Sequence, residues 1–329
     1  MARWYLVGFL PLSLYFLVPV FIHFFPWYLQ HVFFLNFVKV PFQDFTNLTY
    51  YGVSSLGRNF YLQGQNGLRL GCWHILPSEI VKNYRGSVLD DREVELLMEA
   101  SDNPVIVYLH GNSFDRSQSN RCGLYNVLAD IGFHVLALDY RGYGDSNGSP
   151  NENGLIEDAK EIFRYARSHS KSDIYLWGHS IGTAIATAAT MEFSEEGSPP
   201  TGLILESPFN NLNDVVTHHP YAIPFRWLPW FKKMVLESLE RSGLDMNTDY
   251  RITKVDCPVL ILHAEDDHII PLRLARKLRD SALAAKRDVT LKEFDASRNF
   301  HHKFIYLADE LPGILTRFME KCTLKRKKQ

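Results

Sequence analysis

The chain has 329 residues, 46% hydrophobic and 22% charged, with a formal net charge of −2. That composition suits one large α/β domain with its own core, and the near-neutral balance argues against nucleic acid as a partner. Four cysteines, Cys72, Cys122, Cys257 and Cys322, are too few and too scattered for a disulfide framework or a zinc site, so no metal is expected.

The N-terminus differs from the rest. Residues 4–25 carry no Asp, Glu, Lys or Arg. At ~1.5 Å per residue a run of about 22 spans roughly 33 Å, close to a bilayer core. Trp4, Tyr5, Phe24, Phe25, Trp27 and Tyr28 place aromatics at both ends. The bulky run without a small-residue cleavage site predicts an uncleaved transmembrane anchor rather than a signal peptide. A second apolar run, 31–38, is too short to span and reads as interfacial or lid-packing.

Sidedness signals conflict. Arg3 and the free amino terminus favour a cytosolic N-terminus, hence a luminal domain. Asn47 and Asn147 open glycosylation sequons, which matter only in the lumen. The basic tail ending Lys325-Arg326-Lys327-Lys328-Gln329 resembles a cytosolic dilysine retrieval signal, or is simply a solvated end. The expectation is a single-pass protein of the endoplasmic reticulum with a luminal domain.

Beyond the anchor, 68–76 reads as an antiparallel edge strand and the charged stretch 82–100 as a surface insertion. Strands and helices then alternate: strand 105–109, helix 122–131, strand 135–138, helix 155–167, strand 174–177, helix 183–191, strands 203–205 and 259–262, helix 272–283, strand 289–294 and helix 304–319. Such alternation predicts a mostly parallel sheet covered by helices on both faces. Residues 207–256 break it, with Tyr221, Phe225, Trp227, Trp230 and Phe231 among three prolines. So long an excursion reads as a helical cap over the site, against the alternative of a hairpin packed on the core. The organisation expected is an anchor at 1–26, a linker with an interfacial segment at 27–59, a catalytic domain at 60–320 and a basic tail at 321–329.

Gly178-His179-Ser180-Ile181-Gly182 lies between strand 174–177 and a small-residue helix. Strand, sharp Gly-flanked turn and helix push a serine hydroxyl out of the backbone as a nucleophile. A serine needs a base, and the base an orienting acid. In this arrangement the order along the chain is Ser, acid, His. The base belongs after strand 289–294, where His301 and His302 stand. The acid belongs after strand 259–262, among Glu265, Asp266 and Asp267, with Glu206 a less usual fourth candidate. The oxyanion needs backbone N–H donors. Ile181 supplies one, and Asn112, in the loop His110-Gly111-Asn112, the other. The His110 and Asn112 side chains read as braces of that loop.

The runs Leu109-His110-Gly111-Asn112, Asp139-Tyr140-Arg141-Gly142-Tyr143-Gly144-Asp145-Ser146, Leu205-Glu206-Ser207-Pro208-Phe209, Leu262-His263-Ala264-Glu265-Asp266-Asp267 and His302-Lys303-Phe304 join the elbow in a pattern that resembles the α/β-hydrolase family. The pattern is most similar to its membrane-anchored lysophosphatidylserine and monoacylglycerol lipases, the α/β hydrolase domain-containing protein 12 group. The resemblance runs from residue 34 to the end. It implies Ser180 as nucleophile, Asp267 as acid, four residues before Pro271, and His302 as base, directly before Lys303-Phe304. It also implies a lipid substrate with a single acyl ester and a membrane location, with no cofactor. The segment 113–120 is more polar and bulky than the family pattern, which bears on head-group and acyl-chain choice. A protein-depalmitoylating thioesterase would use the same chemistry. A non-catalytic scaffold is the third reading, opposed by the intact Ser, Asp and His.

Overall fold

The computed structural model describes residues 13, 17–18, 20–84 and 89–326. Eight strands form one sheet: β1 (Gly57–Gln63), β2 (Arg69–Ile75), β3 (Val105–Leu109), β4 (His134–Leu138), β5 (Ile174–His179), β6 (Gly202–Glu206), β7 (Val259–Ala264) and β8 (Val289–Phe294). Their order across the sheet is β1-β2-β4-β3-β5-β6-β7-β8. β2 is antiparallel to β1 and β4, and every pairing from β4 to β8 is parallel.

The inner strands are apolar on both faces because helices cover both. Tyr175 and Trp177 of β5 and Ile204 of β6 enter one core with residues of the helices Ser119–Asp130 and Leu311–Arg326. Leu176 and Leu205, one residue out of phase, enter the other with the helices Glu152–His169 and Ile181–Glu195. This period of two is the pleat of the strands.

Several boundaries differ from the sequence reading. The stretch 68–76 is not the sheet edge, because β1 pairs along its whole outer side from Gly57↔Ile75 to Gln63↔Arg69. β1 escapes notice because Phe60 is its one buried residue. The charged stretch 82–100 holds a regular element of its own. Asp91–Ala100 is a helix with a capping box at Asp90 and Glu93, and it buries Val94 and Met98. The last helix runs Leu311–Arg326 rather than from residue 304, since Ile305–Leu307 is an isolated 3-10 turn and Pro312 suits the first turn of a new helix. Residues 321–326, assigned to a basic tail, belong to that helix. Arg326 pairs with Asp173, and 327–329 lie outside the described residues.

Most of the expected span 4–25 also lies outside the described residues. Among those described, no helix is long and apolar enough to cross a membrane. Of the apolar run 31–38, residues 31–34 end the short helix Tyr28–Phe34, which buries Leu29 and Phe34.

Candidate active site

Ser180 directly follows β5 and caps the helix Ile181–Glu195 with φ 54° and ψ −120°. A non-glycine residue rarely adopts positive φ, and here the turn imposes it. The flanking glycines make the turn possible. A Cβ on Gly178 would stand 2.3 Å from the Gly182 carbonyl oxygen, and one on Gly182 2.1 Å from the Leu109 carbonyl oxygen. Gly182→Ala should therefore push the elbow helix off β3. We expect a loss of about 1–3 kcal/mol or more, read as a lower thermal midpoint together with lost activity.

His302 Nε2 accepts from the Ser180 hydroxyl at 3.0 Å, and its Nδ1–H donates to Asp267 Oδ2 at 2.7 Å. All three residues are buried. The other Asp267 oxygen accepts the Ile269 and Ile270 N–H groups, each at 2.9 Å. Burial alone would raise the Asp267 pKa. The facing His302, its hydrogen bond and nearby His263 outweigh that and hold the carboxyl well below the ordinary carboxylate range. Asp267 is thus an ionised, immobile acceptor that selects the His302 tautomer. His179 Nε2–H donates to the His302 carbonyl at 2.8 Å, fixing the backbone of the base from the elbow side.

The neighbouring candidates form a second pair. Asp266 accepts the His301 N–H at 3.1 Å and its Nδ1–H at 2.8 Å, with the His301 side chain 44% exposed. Adjacent residues thus make parallel Asp–His contacts, and His302 of the buried pair is the one on Ser180. His301→Ala and Asp266→Asn should leave turnover within a factor of about 3, since neither reaches the reacting atoms. Steady-state assays of the two variants check this. Glu265 accepts the Ala296 N–H at 3.3 Å on the surface.

Glu206 serves the scaffold. Its carbonyl accepts the Ser180 N–H at 2.9 Å, and its carboxyl accepts Trp177 Nε1–H at 3.0 Å. Burial pushes its pKa up to about 7, against the Trp177 hydrogen bond and aided by the charge of Asp267. The stability that its protonated form contributes is full below the unfolded value of ~4.3. It is lost as pH rises through about 7. Glu206→Gln keeps the acceptor and removes the ionisation. Its thermal midpoint should gain on wild type between pH 5 and pH 8, by a free-energy difference on the order of 2–3 kcal/mol. Parallel melting curves that do not diverge with pH would contradict a protonated Glu206.

Ile181 N–H lies in the first turn of its helix, where main-chain donors lack intrahelical partners. The Gly111–Asn112 loop lies over the serine, for a Cβ on Gly111 would stand 3.1 Å from Ser180 Cβ. The Asn112 side chain braces it by donating to the Phe33 carbonyl and accepting Ser113 N–H at 2.9 Å. His110 Nδ1–H donates to Gly111 O at 2.6 Å. The Asp139 to Ser146 motif is structural: buried Arg116 ties Asp139 to Asp145, and Arg141 clasps Asp158. Sequence reading missed Arg121, whose guanidinium reaches Gly111 O at 3.2 Å and Ser113 O at 3.0 Å.

Residues 101–250 match the family profile described as serine aminopeptidase, S33. The chain is 38% identical over 314 residues to the lysophosphatidylserine lipase ABHD12 of Danio rerio, covering 94% of this chain and 81% of that one. This chain belongs to the ABHD12 family. It is also 38% identical over 231 residues to the human protein ABHD12B, covering 70% of this chain and 63% of that one. Among solved structures, an α/β hydrolase from Vibrio vulnificus superposes with a TM-score of 0.65 at 19% identity, covering 88% of this chain and 92% of that one. A Pyrococcus furiosus esterase does so at 0.58 and 18%, covering 82% and 91%. Those two likenesses carry the α/β-hydrolase fold, and the ABHD12 relatives carry the family.

Proposed function

We propose that this chain is a membrane-anchored serine hydrolase that cleaves the acyl ester of single-chain lipids, lysophosphatidylserine or monoacylglycerol. The observation that carries this reading is the continuous chain Ser180 Oγ, His302, Asp267 at 3.0 and 2.7 Å, built on a positive-φ elbow. The head-group class is supported by the ABHD12 relatives, which are named lysophosphatidylserine lipases.

His302 takes the Ser180 proton as the oxygen attacks the ester carbonyl. The Ile181 and Asn112 N–H groups hold the oxyanion, and Asp267 stabilises the imidazolium. His302 returns the proton to the departing alcohol, the deacylated glycerol group of the lipid. Water, activated by His302, then releases the fatty acid. None of these steps requires a metal or cofactor.

Residues 207–256 act as the cap. His219 of this segment is partly buried, and burial, then the charge of His302, lower its pKa. The cap exposes Ile223, Phe225 and Trp227, and the end of the anchor and the residues that follow it expose Phe24, Phe25 and Trp27. Gln30 donates to the Ser242 carbonyl, and Arg241 to that of His23, joining the two regions. Such a surface suits a substrate arriving from the bilayer plane.

The anchor at 4–25, residence in the endoplasmic reticulum and a luminal domain complete the proposal. Asn47 and Asn147 are both exposed and are the glycan candidates. A luminal domain predicts that Asn47→Gln migrates faster than wild type on a gel. A cytosolic one predicts no change, with a C-terminal epitope open to protease in intact microsomes. For substrate class, the full-length protein should release fatty acid from lysophosphatidylserine faster than from a palmitoyl thioester. The reverse order would favour the thioesterase reading.

A further inference from the structure

We propose that Arg121 is a positioning residue for the reaction: with His110 it fixes the Gly111–Asn112 peptide so that the Asn112 N–H faces the oxyanion. The proposal rests on the reading of this loop as an oxyanion loop. Three observations lead to it.

The first is where the charge lies. Arg121 is 5% exposed, at the start of the helix Ser119–Asp130. Arginine is rarely buried without a carboxylate, because desolvation costs several kcal/mol per ion. Arg116, five residues earlier in the loop before that helix, follows that rule with Asp139 and Asp145. Among the described residues Arg121 makes no such ion pair. Its guanidinium donates to the carbonyls of Gly111, Ser113 and Asp115, and the Tyr108 hydroxyl lies against it. A buried cation is therefore spent on the main chain of a single loop.

The second is what holding that carbonyl does. Gly111 C=O and Asn112 N–H belong to one planar trans unit and point in opposite directions. Two donors seize the oxygen, Arg121 Nη2 at 3.2 Å and His110 Nδ1 at 2.6 Å. Burial, and then the charge of Arg121, hold the His110 pKa well below its ordinary value, so the ring is neutral and its single proton is the one on Gly111 O. With the oxygen pinned on the Arg121 side, the N–H is aimed the other way. The guanidinium charge also polarises the peptide, which strengthens the N–H as a donor.

The third is that the loop would not hold itself. Ser113 and Phe114 both have positive φ, 61° and 56°. Each costs on the order of 1 kcal/mol and persists only where its surroundings over-determine it. Arg121 on Ser113 O and the Phe114 N–H on Val38 O, at 3.2 Å, are those surroundings. Gly111 adds freedom of its own and cannot be stiffened, because a side chain there would strike His179 and Ser180.

The test compares Arg121→Lys, Arg121→Met and Ser180→Ala in the full-length protein on lysophosphatidylserine. An interaction made mainly in the transition state lowers kcat and leaves KM alone. Arg121→Met should lower kcat by a factor on the order of 10–100, below the loss for deleting an oxyanion donor outright, with KM within about 3-fold. Arg121→Lys keeps the charge but spans fewer carbonyls, and should fall between. Inhibition by a trifluoromethyl ketone, which makes a hemiketal oxyanion on Ser180, should weaken by the same factor as kcat/KM. Should Arg121→Met fail to fold, Arg121→Lys decides. Unchanged kcat in folded Arg121→Lys and Arg121→Met, a loss confined to KM, or undiminished ketone affinity would overturn the proposal. Turnover by Ser180→Ala would instead overturn the reading of the site beneath it.

Discussion

Ser180→Ala loses turnover by a factor on the order of 10³ or more while the protein keeps its fold. The size follows from the position of the hydroxyl. Among the described residues it is the one hydroxyl on His302 Nε2, at 3.0 Å. The fold survives because the hydroxyl carries no structural hydrogen bond in the elbow. The Ser180 N–H and C=O do that, bonding Glu206 O and Thr183 N at 2.9 Å each. The remaining activity reflects binding and the oxyanion donors alone. Labelling by a fluorophosphonate should vanish in the same variant, and circular dichroism should match wild type.

His302→Ala is the second large effect, equal to that of Ser180→Ala because residues that act as a unit lose their function together. Asp267→Asn should follow at a factor on the order of 10⁴. An asparagine amide cannot anchor the Nδ1–H tautomer, and the Ile269 and Ile270 N–H groups would still hold its oxygen in place. His302 would then carry its proton on Nε2 and could not accept the Ser180 proton. A double variant Ser180→Ala, His302→Ala should be no worse than either single one. Additive losses in that cycle would place His302 outside the catalytic unit.

The elbow and the strands around it were readable because each local signal has a cause that acts within a few residues. Gly178 and Gly182 mark a turn that no side chain could enter, and the apolar runs of β3, β5 and β6 mark strands covered on both faces. The choice between adjacent carboxylates was not readable from residue type alone. Asp266 and Asp267, like His301 and His302, are the same chemistry one residue apart, and only the loop geometry sends one pair inward and the other to the surface. β1 was not legible because its stability comes from pairing with β2, with Phe60 its sole buried side chain. Arg121 was hidden for a similar reason. A lone arginine at a helix start reads as a solvated charge, and its burial depends on the return of the 111–115 main chain over it.

The most direct measurement is the mass of the peptide containing Ser180 after the full-length protein is mixed with lysophosphatidylserine and quenched in acid within the first turnovers. Attack by Ser180 and transfer to water through His302 predict a fatty acyl group on Ser180, absent in Ser180→Ala and depleted at longer times as fatty acid appears. Hydrolysis of the lipid with no acyl group on this peptide, or with the acyl group on another residue, would contradict the account.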